Sequence, residues 1–318
     1  MCSSDLALWF EKAAAQDNAL ACFYLSVLYN EGLGVEEDER RAVGLAARAA
    51  EAGIPSAQRL MGGFAMSGRG MARDLFKAEG WLRKAALQGD SESMVLLGSL
   101  HSRGEGMRPN LVEAAAWYRA AAELGHAGAQ KVLAQMYLTG SGVPTDPLTA
   151  AQWYKKAADQ GDAGGLYNVG MLDSLGAAGA PNAESALARF REAAEKGHAQ
   201  AQFQLCVAYA LGDDVERDLA QSAHWARLAA EQGHAGAQAN YGRYLMQGNG
   251  AQQDHAEAAL WLTRSAEQGL AQAMTALGEL YAGLWGGEPD PEKAALWLTR
   301  AAELGEERAA ELLANAKS

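Results

Sequence analysis

The sequence predicts an all-α fold made of eight 36-residue helix-turn-helix repeats, with a half-repeat at each end. Three observations support this. A glycine closes a recurring phrase every 36 residues, an Asp or Asn recurs at one phase of that period, and apolar residues recur at helical spacing. The closing glycines are Gly53, Gly89, Gly125, Gly161, Gly197, Gly233, Gly269 and Gly305.

This period divides the chain without insertion or deletion. Residues 1–17 match only the second helix of a repeat, and residues 306–318 match only a first helix, which is polar as the cap of an array should be. The full repeats are 18–53, 54–89, 90–125, 126–161, 162–197, 198–233, 234–269 and 270–305. Because stacked repeats contact their neighbours, we expect residues 1–318 to form a single repeat domain.

The first helix of each repeat is expected at about positions 2–14, with positions numbered from 1 to 36. Apolar residues at positions 8 and 11 and a small residue at position 4 form one stripe. Gly at position 15 ends the helix in seven repeats. Position 9 is Gly in five repeats, at a cost of about 1 kcal/mol relative to Ala. We therefore expect another helix to approach closely there, with the Trp at position 28 filling the space.

The second helix is expected at about positions 22–35. Position 21 is always Asp or Asn, residue types that cap helix N-termini, and the Gly at position 36 permits the left-handed conformation that ends a helix. The loop between the two helices is rich in glycine. Since this loop recurs in every repeat and follows no strand, we interpret it as a structural turn rather than a phosphate-binding loop.

The fourth repeat, residues 126–161, shows the phrase well. Its characteristic residues are Ala129, Leu133, Tyr137, Gly140, Gly142, Val143, Asp146, Ala150, Trp153, Tyr154, Ala157, Ala158 and Gly161. This pattern resembles the Sel-one-like repeat, a relative of the tetratricopeptide repeat, and the resemblance spans nearly the whole chain. It implies a right-handed α/α superhelical solenoid that binds other proteins, with the first helices lining a concave groove.

Charge and composition exclude several classes of partner. With 27 Lys and Arg against 39 Asp and Glu, the net charge of −12 disfavours duplex nucleic acid and anionic membranes. No apolar run approaches the roughly 18 residues of a transmembrane helix, and no signal peptide opens the chain. The three cysteines lack a CxxC pattern, which favours a reducing, cytoplasmic location. Cys2-Ser3-Ser4 resembles the start of a mature bacterial lipoprotein, so a periplasmic or lipid-anchored protein is the alternative.

The sequence contains no recognisable catalytic or cofactor-binding motif, and we expect no enzyme activity, metal or cofactor. His126, His198 and His234 all occupy position 1. Successive repeats stand about 10 Å apart, too far for these side chains to share one zinc ion, so we interpret them as polar helix-start residues. At ligand spacing in the sequence, no carboxylate or Cys accompanies His101, His224 or His255.

Positions that differ between repeats can specialise for binding. By the resemblance, positions 3, 6, 10, 13 and 14 of the first helix face the groove. The partner-binding residues expected on this face are Phe23, Arg59, Lys131, Leu138, Tyr167, Met171, Leu175, Phe203, Val207, Leu211 and Arg243. The apolar members concentrate in repeats five and six, where Arg189 also replaces the Trp and where Ala178 and Asp214 replace the second loop Gly.

An apolar cluster on a face expected to be exposed to solvent indicates a binding site for a protein or a small ligand. The alternative is that the curvature of the array buries these side chains. A second candidate is Trp285, the one Trp outside position 28, which either contacts a partner from its loop or packs locally.

The sequence therefore favours a non-enzymatic interaction scaffold or adaptor that binds a protein or peptide segment in the groove. The net charge of −12 suggests a basic partner. Two alternatives follow from the same resemblance. One is a bacterial immunity or inhibitor protein that neutralises a secreted toxin or enzyme. The other is an enzyme that binds β-lactams or cell-wall fragments, against which the missing nucleophile and base weigh.

Overall fold

The computed structural model describes residues 3–104, 108–177, 180–212 and 214–315, and over these ranges the chain is helical without a single strand. The all-α prediction is confirmed. The chain divides into two compact units, residues 1–160 and 161–318, and each is described by itself. Cys2 and Ala178, singled out in the sequence, lie outside the described residues.

The N-terminal unit contains nine described helices. They are α1 (Ser3–Ala14), α2 (Ala19–Glu31), α3 (Glu39–Glu51), α4 (Pro55–Ser67), α5 (Leu75–Ala86), α6 (Ser91–Arg103), α7 (Leu111–Glu123), α8 (Ala127–Thr139) and α9 (Pro147–Asp159). Each helix packs against the next one in the chain. Helix α8 covers positions 2–14 as expected, and α9 ends one residue earlier than expected.

The C-terminal unit has the same arrangement. Its described helices are α10 (Ala163–Leu175), α11 (Ala183–Glu195), α12 (Ala199–Leu211), α13 (Leu219–Glu231), α14 (Ala235–Gln247), α15 (His255–Glu267), α16 (Ala271–Tyr281), α17 (Pro291–Glu303) and α18 (Glu307–Asn315). Helix α16 is shorter than the first helices of the other seven full repeats because repeat eight lacks Gly at position 15, and Gly283 takes the left-handed conformation instead. Trp285 lies in the loop that follows.

The predicted caps form in every full repeat. At position 21, each side chain accepts a hydrogen bond from a backbone N–H in the first turn of the second helix. These caps are Asp38, Asp74, Asn110, Asp146, Asn182, Asp218, Asp254 and Asp290. The seven glycines at position 15 have φ between 64° and 81°. Side-chain caps and glycine stops of this kind set the bounds of the helices.

The space beside the small residue at position 9 is filled by the side chain at position 29. The expectation that the Trp at position 28 fills this space is therefore wrong. A Cβ added to Gly98 would stand 2.9 Å from the Tyr118 ring, and one on Gly170 would stand 2.8 Å from Phe190. Adjacent helical positions point about 100° apart, which turns the Trp away from this contact. Five of the Trp rings instead pair with a cation three residues on, as in Trp153 and Lys156 at 3.9 Å.

The core of each unit lies between successive helices and consists mainly of Ala and Leu. In the C-terminal unit, Leu262 and Leu277 are fully buried among alanines of the neighbouring helices. The N-terminal unit buries Leu97 and Leu133 in the same way. None of the helices in the described ranges has the length and apolar character needed to cross a bilayer.

Candidate functional site

Position 6 of the first helix connects successive repeats. Tyr167 stacks on the His198 ring with centroids 4.7 Å apart, and Phe203 stacks on His234 at 4.4 Å. Arg59 uses the same position for an ion pair with Asp90 at 3.5 Å. Tyr167 and Phe203 are therefore half-buried between repeats, whereas the groove-facing alternative would leave them open to a partner.

Three histidines cap first helices, as their position in the sequence suggested. The Nδ1 atoms of His126, His198 and His234 accept the backbone N–H three residues later, at 3.0, 3.3 and 3.1 Å. Burial lowers the pKa of His234. A lowered pKa favours the neutral ring, whose Nδ1 can accept the capping bond.

An apolar opening of the predicted face lies between α11 and α12. It is a cleft of about 320 Å³, and its apolar walls include Leu187, Phe190, Val207 and Leu211. Leu211 is 63 % exposed even though it belongs to this wall. The cleft can therefore accept an apolar side chain from solvent.

A loop substitution lies beside this cleft. In repeats two, four and seven, the second loop glycine lies against the first carbonyl of the preceding second helix, as Gly142 does against Leu111. A Cβ added to those glycines would overlap that carbonyl. Repeat six has Asp214 there, with φ 61°, so the loop cannot approach Ala183 as closely. Asp214 and Ala183 both line the cleft.

A second cleft of about 420 Å³ adjoins the first between α12 and α14. Val207 and Leu211 line both clefts, and the second cleft is otherwise mainly polar, with Arg217, Asn240 and Arg243. Neither arginine forms a salt bridge with a described carboxylate; the Arg217 Nε donates to the Ala210 carbonyl at 3.1 Å. We call the two clefts together the α11–α14 groove.

The groove contains some of the partner-binding residues predicted from the sequence. Val207, Leu211 and Arg243 line it. Met171 is half-buried and Leu175 is 69 % exposed on α10, beside the lining residue Ser174.

The other predicted residues lie elsewhere. Phe23, Arg59, Lys131 and Leu138 are half-buried in the N-terminal unit. Phe23 packs on the Tyr24 ring at 5.3 Å. Trp285 is not among the residues lining the groove; its carbonyl accepts from Gln253 Nε2 at 3.4 Å.

A polar cluster in the N-terminal unit corrects the view that His101 has no carboxylate partner. His101 Nε2 lies 3.5 Å from Glu113 Oε1 and 3.9 Å from Glu79 Oε1. Arg83 donates to both carboxylates, and its guanidinium lowers the pKa of the Glu113 carboxyl. The three helices α5, α6 and α7 supply these residues, so spacing along the sequence could not reveal the cluster.

The repeat pattern identifies the family of this chain. Nine segments match the Sel1 repeat, at residues 7–18, 19–54, 55–90, 91–126, 127–162, 163–198, 199–234, 235–270 and 271–306. The chain belongs to the Sel1 repeat family. These Sel1 repeats are offset by one residue from the boundaries assigned by the glycine period.

Solved Sel1 repeat structures confirm the α/α solenoid class. A Sel1 repeat protein from Oxalobacter formigenes is 30 % identical with a TM-score of 0.76, over 97 % of this chain and 90 % of that one. The protective antigen c5321 of uropathogenic Escherichia coli, described as having an SLR fold, is 33 % identical with a TM-score of 0.67, over 96 % of this chain and 73 % of that one.

A more distant structure is the immunity protein Pa5087 of Pseudomonas aeruginosa. It is 20 % identical with a TM-score of 0.42, over 70 % of this chain and 84 % of that one, and such a likeness carries no argument about function. No curated protein matches the sequence significantly.

The second-helix wall of the groove, formed by Leu187 and Phe190, was not predicted from the sequence. The signal was present in the Sel1 repeats themselves. Position 26 is Ala in most repeats and Leu187 in repeat five, next to the departure at Arg189. A comparison confined to first helices could not detect it.

Proposed function

We propose that this Sel1 repeat protein is a non-enzymatic interaction protein that binds a peptide segment of a partner in the α11–α14 groove. Repeat solenoids of this family are typical protein-interaction scaffolds. The observation that carries the proposal is Leu211, which is 63 % exposed and shared by both clefts. An exposed apolar side chain inside a cleft is characteristic of a binding surface.

The two clefts differ in chemistry, which defines the segment that fits. Leu187, Phe190 and Val207 provide apolar walls on one side of Leu211. Arg217 and Arg243 provide cationic groups on the other side. A segment with an apolar side chain followed by a carboxylate would complement both, since Arg forms strong charge-assisted hydrogen bonds with carboxylates. The acidic surface as a whole favours partners that are basic outside this segment.

Selection of peptides from a random phage-displayed library against the full chain tests the proposal. We expect enriched peptides to carry an apolar residue near an acidic one. Their affinity for Leu211→Ser should fall by about tenfold or more, equivalent to about 1.4 kcal/mol. Replacing Arg243 by Gln should weaken only the peptides that contain the carboxylate.

Leu148 is the matched control, because it is a comparably exposed leucine in the N-terminal unit, with 60 % exposure. Leu148→Ser should leave peptide affinity unchanged. The proposal is wrong if no peptide is enriched, or if the enriched peptides bind Leu211→Ser as tightly as the unmodified chain.

A further inference from the structure

The cluster of Glu79, His101 and Glu113 departs from the repeat pattern at two positions that meet in space. Position 12 is Tyr in four of the eight repeats, whereas repeat three has His101. Position 26 is apolar in all the other repeats and in the leader, whereas repeat two has Glu79. The packing of the array requires neither change, since neighbouring repeats fold with the common residues.

The common residues form a simple contact that is lost here. In three repeats, the position-12 hydroxyl bonds the position-30 side chain of the preceding repeat, as Tyr137 does with Arg119 at 2.9 Å and Tyr209 with Arg191 at 3.3 Å. Arg83 occupies position 30 before His101, but it turns to Glu79 and Glu113. The imidazole nitrogen is thereby left facing carboxylates.

His101 has an unsatisfied nitrogen aimed into the cluster. The residue is 7 % exposed, and its Nε2 is buried without a hydrogen-bond partner among the described residues. Buried polar atoms are normally paired, and an orphaned one requires an explanation. The Oε1 atoms of Glu113 and Glu79 lie 3.5 and 3.9 Å from it.

These distances fit a metal ion. The three ligand atoms all lie within 4.8 Å of one another. Around a tetrahedral Zn²⁺ with bonds of about 2.0–2.1 Å, neighbouring ligand atoms stand about 3.3 Å apart. Imidazole and carboxylate are both ligands that zinc accepts. Bringing the ligand atoms to this spacing therefore shortens each of their separations by at most about 1.5 Å.

We propose that Glu79, His101 and Glu113 bind a divalent transition-metal ion of the Zn²⁺ type, which joins α5, α6 and α7. The Nη2 of Arg83 now donates to both carboxylates, so it occupies the place that the ion would take. Arg83 is the competing cation. Its guanidinium also lies 5.3 Å from the Trp117 ring, where it remains stacked when the carboxylates turn to the ion.

The test is a titration of the full chain with Zn²⁺ by calorimetry and with Co²⁺ by visible absorption. We expect one bound ion per chain. His101→Tyr and Glu79→Ala should each weaken binding by about tenfold or more. Both variants restore residues that neighbouring repeats use at these positions, so both should fold. Arg83→Gln should tighten binding because it removes the competing cation.

His224 provides the control for adventitious binding to a surface imidazole. It is exposed on α13, and His224→Gln should bind the ion as the unmodified chain does. The proposal is overturned if neither the unmodified chain nor Arg83→Gln binds Zn²⁺ or Co²⁺. It is equally overturned if His101→Tyr binds as tightly as the unmodified chain.

Discussion

The side chains of Gln130 and Gln160 form a hydrogen bond of 2.8 Å that closes the fourth repeat. Gln130 is 3 % exposed, and its Nε2 donates to the Ala122 carbonyl at 3.0 Å, near the end of the preceding second helix. The same pair recurs at 2.8 Å in repeats two, six and seven. The four remaining repeats have neither glutamine, so positions 5 and 35 change together.

This covariation predicts strong coupling between the two glutamines. Gln130→Met should destabilise the chain by about 1–3 kcal/mol, because it removes the hydrogen bonds to Gln160 and to the Ala122 carbonyl. The double change Gln130→Met with Gln160→Leu reproduces the pair of repeat three, Met94 and Leu124, and should recover most of that loss. Urea unfolding of the double-mutant cycle measures the coupling, and additive losses would refute it.

The tight contact at position 9 makes a second prediction. Gly170→Ala should destabilise the chain by about 1–3 kcal/mol, because its Cβ would stand 2.8 Å from the rigid ring of Phe190. Gly80 is the matched helical control, since nothing lies within 4 Å of a Cβ there. Gly80→Ala should stabilise by about 0.5–1 kcal/mol. Thermal unfolding compares the two; equal effects would contradict the packing described.

The cap at His234 predicts a pH dependence of stability. Its Nδ1 accepts the Ala237 N–H at 3.1 Å, and burial lowers its pKa. The folded pKa thus lies below the unfolded value of about 6.5. The stabilisation is complete above the unfolded value and is lost as the pH falls through the folded pKa.

His234→Asn tests this with an uncharged cap. Asn18 fills the same position in repeat one and accepts the Ala21 N–H at 2.9 Å. Between about pH 7 and pH 5, the free energy of unfolding of the variant should fall less steeply than that of the unmodified chain. Urea unfolding at both pH values measures this change. If the free energy of unfolding falls equally in the variant and in the unmodified chain, His234 is not the source of the pH dependence.

Asp214 predicts opposite effects on stability and binding. Its φ of 61° is unfavourable for a side chain with a Cβ, so Asp214→Gly should stabilise the chain by up to about 1 kcal/mol. The glycine lets the loop approach Ala183, which narrows the first cleft. Peptides selected on the unmodified chain should bind the variant more weakly. Undiminished affinity, measured by fluorescence anisotropy, would show that Asp214 does not hold the cleft open.

The sequence predicted the helices and their ends because caps are local. Asp146 and Gly140 act through backbone groups within a few residues of themselves, and their roles follow from residue type and phase. The filling of position 9 was predicted wrongly, because residue size pointed to Trp117 whereas helix geometry selects Tyr118 of the same helix.

Contacts between repeats were harder to predict. The groove-facing positions included Val207 and Leu211, which do line an open cleft. They also included Phe203, which the neighbouring cap at His234 half-buries. The two carboxylates near His101 come from two other helices. Such contacts depend on how one repeat stacks on the next, and spacing along one chain does not contain that information.

The α11–α14 groove as a peptide site is the central claim, and photo-crosslinking tests it most directly. A peptide selected on the full chain, with a photoreactive group in place of its apolar residue, is irradiated on the protein and the adduct is located by mass spectrometry. We predict crosslinks to Leu187, Val207 and Leu211, which Leu211→Ser reduces. Crosslinks confined to residues of the N-terminal unit would contradict the claim.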